Sequence, residues 1–135
     1  MRAFRELISI PVGASVSKGV NLENERLVGL LVINKSDANQ IRFQALISGS
    51  LDDPIGSQTW VDIRVPTSVA PPTAPYPMEF LAIALPAGSS ANLLPRDFAG
   101  HVPSVIRIQN TVAGTPTNIT GTDATFKFIV DPEPL

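Results

Sequence analysis

The chain contains no cysteine, which excludes disulfide staples, thiolate metal sites and cysteine nucleophiles. Histidine is nearly as scarce. His101 is the only one, so any histidine-dependent triad must use it, and no serine lies in a G-x-S-x-G nucleophile elbow. Between Gly100 and Pro103, His101 reads as a structural or exposed loop residue. Charge is also low, at 16% of residues with a net of −2, against about 25% in an average domain. Without a basic field or a Lys/Arg run to meet phosphates, nucleic-acid binding drops out as a function class. Long apolar runs are missing as well. Met1-Arg2-Ala3-Phe4-Arg5-Glu6 precedes a short apolar stretch broken by Ser9 and Pro11, which is neither a signal peptide nor a membrane span. Asn34-Lys35-Ser36 and Asn118-Ile119-Thr120 match the glycosylation sequon, but without a secretion signal they carry no weight.

What is present is β patterning. A chain of 135 residues, 44% hydrophobic, is read as one domain able to bury roughly 68% of its unfolded surface. Ile41, Phe43, Ala45 and Ile47 fall on one face of a period-two strand and Arg42, Gln44 and Ser48 on the other, with Gly49 and Ser50 ending it. Leu7 to Val12 predicts a first strand, with Ile8, Ile10 and Val12 on one side. Val16 to Leu22 is weaker and interrupted by Lys18. Leu27 to Ile33 is nearly continuous in apolar residues, as in a strand covered on both faces by a second layer or a neighbouring subunit. Gly29 within it predicts a bulge or a close backbone approach.

Asn34 to Asn39 is a polar turn. Trp60 to Val65, Phe80 to Leu85, Ser104 to Gln109 and Thr125 to Val130 complete about eight strands. That count predicts an all-β fold, a single antiparallel β-sandwich of jelly-roll type spanning 1–135.

Proline marks the boundaries. Pro66 to Pro77 holds five prolines in twelve residues, which removes ladder donors and favours polyproline II. It predicts a surface loop, or an arm stiff enough to dock on a neighbouring subunit with little entropy loss. Asn92 to Gly100 predicts a short helical turn or tight loop, with Leu94 and Phe98 capping an open end of the sandwich. The tail 131–135, Asp-Pro-Glu-Pro-Leu, is expected to stop the last strand.

The residues that could carry chemistry are few. Asp52-Asp53 before Pro54 suits a turn, since Asp side chains bond nearby amides, and it lacks the alternate spacing of a calcium loop. Paired carboxylates for glycoside cleavage would come from Asp52, Asp53, Asp62, Asp97 and Asp123; capping and solvation is the favoured reading of all five. Trp60 and Tyr76 are the only Trp and Tyr. Either could stack on a sugar, although Trp60 at a strand start fits a core or sheet-edge position. No catalytic, cofactor-binding or metal-ligating set emerges, and an enzyme is not expected.

Several segments in order resemble a family of small tailed-phage and gene-transfer-agent virion proteins. They are Ile8-Ser9-Ile10-Pro11-Val12-Gly13-Ala14-Ser15, then Val20-Asn21-Leu22 with Arg26-Leu27-Val28-Gly29-Leu30. Ile41-Arg42-Phe43-Gln44-Ala45 with Ser48-Gly49-Ser50 follows. Leu93-Leu94-Pro95, Phe98-Ala99-Gly100, Val105-Ile106-Arg107-Ile108 and Thr125 to Val130 close the series. Leu51-Asp52-Asp53-Pro54-Ile55-Gly56 departs from the family's Ser-x-Asp-Gly sequence, and Pro66 to Pro77 has no counterpart in it.

The resemblance implies a β-sandwich on the particle: a capsid decoration protein, the base of a head spike or fibre, or a tail component. It would be made in the host cytoplasm and carried on the virion surface. The expected partners are its own copies, with a trimer or pentamer favoured, and the major capsid or other virion proteins. Leu27, Leu31, Ile33, Pro71, Pro72 and Tyr76 are the expected contacts. The alternative is a receptor- or carbohydrate-binding module on the virion, binding a host surface glycan at Asp52, Asp53, Trp60 and Asp62.

Overall fold

Alternating apolar and polar residues become strands along more than half of the chain that the computed structural model describes, residues 3–22, 25–66, 78–80, 82–93 and 105–132. In chain order the strands are β1 (Ala3–Ile10), β2 (Val20–Asn21), β3 (Glu25–Asn34), β4 (Gln40–Ser48), β5 (Thr59–Asp62), β6 (Arg64–Pro66), β7 (Met78–Phe80), β8 (Ala82–Ala84), β9 (Ser90–Leu93), β10 (Val105–Val112), β11 (Thr115–Pro116) and β12 (Ala124–Pro132). One short 3₁₀ turn, Ile55–Ser57, follows Pro54.

The pairing is nested. β1 pairs β12, β2 pairs β10, β3 pairs β9 and β4 pairs β5, all antiparallel. The chain is thus one long hairpin whose tip is the loop between β4 and β5. Rolling that hairpin adds the pairs β12 to β3 and β10 to β4. The result is a four-stranded sheet, β1-β12-β3-β9, and a six-stranded sheet, β11-β10-β4-β5, with β2 also on β10 and β8 on β4. This order is that of a jelly roll, as the strand count predicts. β6 and β7 form a separate small ladder.

Ile8, Ile10, Leu27, Leu30, Val32, Ile41, Phe43, Ile106, Ile108, Phe126, Phe128 and Val130 fill the space between the sheets. The Phe43 and Phe128 rings meet across it, with centroids 6.4 Å apart and planes inclined at 39°.

Bulges explain where simple alternation fails. In β3, Ile129 lies opposite Gly29 but Val130 opposite Leu27, so Val28 is an extra residue. The phase resets there, and Leu27 and Leu30, three apart, both reach the core. The continuous apolar run therefore reflects a phase change, and only one of its faces is packed in the sandwich. A Cβ on Gly29 would sit 2.6 Å from the Asn92 carbonyl oxygen of β9, so both the predicted bulge and the predicted close approach are present. Gly29→Val is expected to force β9 away and to lower unfolding free energy by about 1–3 kcal/mol, read from urea midpoints.

β4 ends its inward alternation in the same way. Leu46 pairs Trp60 and Ser48 pairs Thr59, leaving Ile47 as the extra residue, 62% exposed instead of buried. The expected strand Val16 to Leu22 shrinks to β2 because one extra residue separates the Val16–Gln109 bridge from the Val20–Ile106 pair. At that point the Ser17 hydroxyl replaces a backbone acceptor for the Ile108 N–H, at 3.0 Å. Val12 lies past the end of β1 and is exposed.

Two further expectations are corrected or cut short. β12 runs through Asp131 and Pro132 instead of stopping at them, because Asp131 faces Arg26 across the ladder at 3.8 Å. Of Asn92 to Gly100, Asn92 and Leu93 are strand residues of β9. Leu94, Asp97, Phe98, His101, most of the loop 66–77 and residues 133–135 lie outside the described residues.

Candidate functional site

Alternation places Arg107 and Gln109 of β10, Arg42 and Gln44 of β4, and Trp60 and Asp62 of β5 on the outer face of the six-stranded sheet. Register then aligns them: Gln109 lies opposite Arg42, and Arg107, Gln44 and Asp62 form one row across three strands. Arg42, Gln44 and Gln109 are buried although they point away from the core, and burial at that depth requires partners.

They supply them to each other. Arg42 Nε donates to Gln109 Oε1 at 2.8 Å and lies 3.2 Å from Asp62 Oδ1. Gln44 Nε2 donates to Asp62 Oδ1 at 2.9 Å, and Arg107 Nε donates to Gln44 Oε1 at 2.8 Å. The chain of contacts continues as the Arg107 guanidinium stacks 4.4 Å above the centre of the Trp60 ring. Trp60 Nε1 then donates to Gln58 Oε1 at 3.0 Å. Desolvation by burial holds the Arg107 guanidinium below its ordinary pKa, with Asp62 pulling it the other way.

This network ends in a cleft of about 300 Å³, lined by Ser17, Lys18, Gly19, Leu51, Asp53, Ile55, Gln58, Trp60 and Arg107. The hairpin tip builds one wall. Asp53 Oδ2 accepts the Ser50 N–H at 2.8 Å, and Gln58 Nε2 donates to the Ser50 and Asp53 carbonyls. The Asp52-Asp53 turn predicted from the sequence is thus held by its own side chains. Gly19 builds the opposite wall. A Cβ there would lie 2.4 Å from Leu51 Cδ2 and 2.7 Å from Trp60 Cη2, so only glycine lets those side chains close over the segment.

The expected ligand residues separate in this geometry. Trp60 and Asp53 line the cleft, Asp62 is held in the network by Arg42 and Gln44, and Asp52 is an exposed turn residue. Trp60 lies at the edge of its sheet, one ring face under Arg107 and its N–H satisfied, which is not the open aromatic face a stacking sugar needs. Asp123 accepts the Val12 N–H at 2.8 Å, so Asp53 and Asp123 both act as caps. Among the described residues no three His, Asp or Glu side chains converge as a metal site, and no helix is long and apolar enough to cross a membrane.

The outer face of the four-stranded sheet is different. Leu7, Lys127, Leu31 and Ala91 form one row across it, and Phe4, Ile129 and Gly29 form the next. Phe4 is 60% exposed and Leu7 48%. Of the flanking charges of β1, Arg5 is held by Glu25 at 2.8 Å, whereas the exposed Glu6 makes only a 3.4 Å contact with the exposed Lys18. Of the expected contact residues, Leu31 is half-buried on this face and Ile33 is exposed at its rim. Leu27, by contrast, is fully buried between the sheets and lies off this face. Pro71, Pro72 and Tyr76 lie outside the described residues.

Sequence reasoning missed Phe4, because it fell in the charged opening segment. It missed Arg107, Gln44 and Gln109 as a group, because alternation gives faces but not register. Comparison of the chain with protein-family models, curated proteins and solved structures finds no match.

Proposed function

We propose that this chain is a non-enzymatic structural subunit of a phage virion that attaches to the particle and to its own copies through the outer face of its four-stranded sheet. The observation that carries the reading is the exposed apolar pair Phe4 and Leu7 on β1, at 60% and 48% exposure, with the half-buried Leu31 on the same face across Lys127. Exposed apolar side chains on the edge strand of a β-sandwich suit an interaction surface. Among the described residues β1 is also an edge strand, paired on one flank only, and a neighbouring copy can cover the other. The low charge of the chain favours repeated contact over steering of a charged partner.

The viral setting is supported by the ordered resemblance of the strand segments to tailed-phage virion proteins. The head is the preferred location, as a decoration protein or the base of a spike or fibre, with the major capsid protein as the expected partner. Mass spectrometry of purified particles, followed by imaging at side-chain resolution, tests this part. The expected result is the chain present in many copies on the particle surface with Phe4 and Leu7 covered. Its absence from purified particles would remove the viral reading.

A further inference from the structure

The cleft beside Trp60 leaves a particular set of groups free. Arg107 is pinned at Nε by Gln44 and stacked on the indole, yet its terminal nitrogens meet no acceptor among the described residues. Lys18, 59% exposed, stands at the same cleft with only a 3.4 Å contact to Glu6. Asp53 uses Oδ2 for its turn, and Oδ1 accepts no bond among the described residues. Gln58 is fully committed, its oxygen to Trp60 and its amide to two carbonyls. What remains is two cationic donors, one carboxylate acceptor and an apolar wall from Leu51 and Ile55.

We propose that this cleft binds an acidic sugar, a pyranose ring bearing a carboxylate. The carboxylate meets the planar Arg107 fork and Lys18, an arrangement suited to bidentate recognition. A ring hydroxyl donates to Asp53 Oδ1, and a C–H face of the sugar lies on Leu51 and Ile55. A bare inorganic anion would use the cations and be repelled by Asp53, whereas a neutral sugar would leave a partly desolvated guanidinium unanswered. The volume is at the low end for small-ligand sites, which fits one sugar residue. The proposal is independent of the contact surface on the other sheet, and loss of either leaves the other standing.

The chain's only tryptophan lines this cleft, so its fluorescence reports occupancy directly. Titration of the full chain with sodium glucuronate is expected to give a saturable change. Glucose and inorganic phosphate are each expected to bind about tenfold more weakly or worse, given the strength of charge-assisted hydrogen bonds. Lys18→Ala, at an exposed position, is expected to weaken glucuronate several-fold while leaving the melting temperature unchanged. Arg107→Gln is expected to abolish binding. Because that change also uncovers the indole, it is followed by amide shifts at Gly19 and Leu51. The proposal is overturned if glucuronate gives no saturable response up to its solubility limit, if glucose or phosphate binds as tightly, or if Lys18→Ala binds unchanged.

Discussion

Replacing Phe43 with alanine is expected to lower the unfolding free energy by about 3–5 kcal/mol, the range for truncating a buried aromatic. Phe43 is fully buried on β4, opposite Ile108 of β10, and meets Phe128 of the other sheet. Its removal leaves a void that rigid strands on both sides cannot collapse into. Urea denaturation reads the loss as a lowered midpoint at unchanged slope. The informative control is Ile47→Ala, four residues along the same strand. Strict alternation gives Ile47 the same inward face, but the bulge turns it out to 62% exposure. It is expected to change stability by about 0.5 kcal/mol or less. Equal losses at the two positions would contradict the bulge.

Lys35→Met is expected to cost about 2–4 kcal/mol, although methionine has a similar length and greater hydrophobicity. The Lys35 side chain is fully buried and its ammonium pairs with the Asp37 carboxylate. It also donates to the Asp37 and Asn39 carbonyls, both at 2.8 Å. The lysine therefore closes the turn between β3 and β4 from inside. Its own carbonyl accepts the Gly88 N–H at 2.7 Å, which ties the loop before β9 to the same point. Without the ammonium the Asp37 and Asn39 carbonyls lose this donor, and the Asp37 carboxylate keeps only the Asn39 N–H, at 3.0 Å, beside a buried apolar side chain. A melting temperature equal to that of the wild type would show that the turn closes without it.

The sequence carried more of the fold than of the surfaces. Alternation at Ile41 to Ala45, Ile106 to Gln109 and Phe126 to Val130 located three central strands and their inward residues, because each is half-buried and period two is then obligatory. The jelly-roll class followed from strand count and turn chemistry. Gly29 marked the phase change at Val28, but the one at Ile47 had no local signature strong enough to place it. A bulge adds one residue to one strand only, so it is visible against the partner and not in the strand itself.

The sites depended on register to a greater degree. Arg42, Gln44, Arg107 and Gln109 were legible as polar outward residues, but a network needs the alignment of β10, β4 and β5. Leu27 and Leu31 looked equivalent as contacts, since core and interface residues are both apolar. Only the bulge between them separates the buried one from the half-exposed one. The Asp52-Asp53 loop, read from the sequence as a turn, is the tip of the long hairpin and one wall of the cleft.

The proposed function requires copies of this chain to meet through the outer face of the four-stranded sheet. Sedimentation velocity of the purified full chain, beside a Phe4→Ser, Leu7→Glu double variant, tests it most directly. The predicted result is a discrete oligomer for the wild type, with a trimer or pentamer favoured, and a monomer with unchanged β circular dichroism for the variant. A wild type that stays monomeric at every concentration, or a folded variant that keeps the same oligomer, would contradict it.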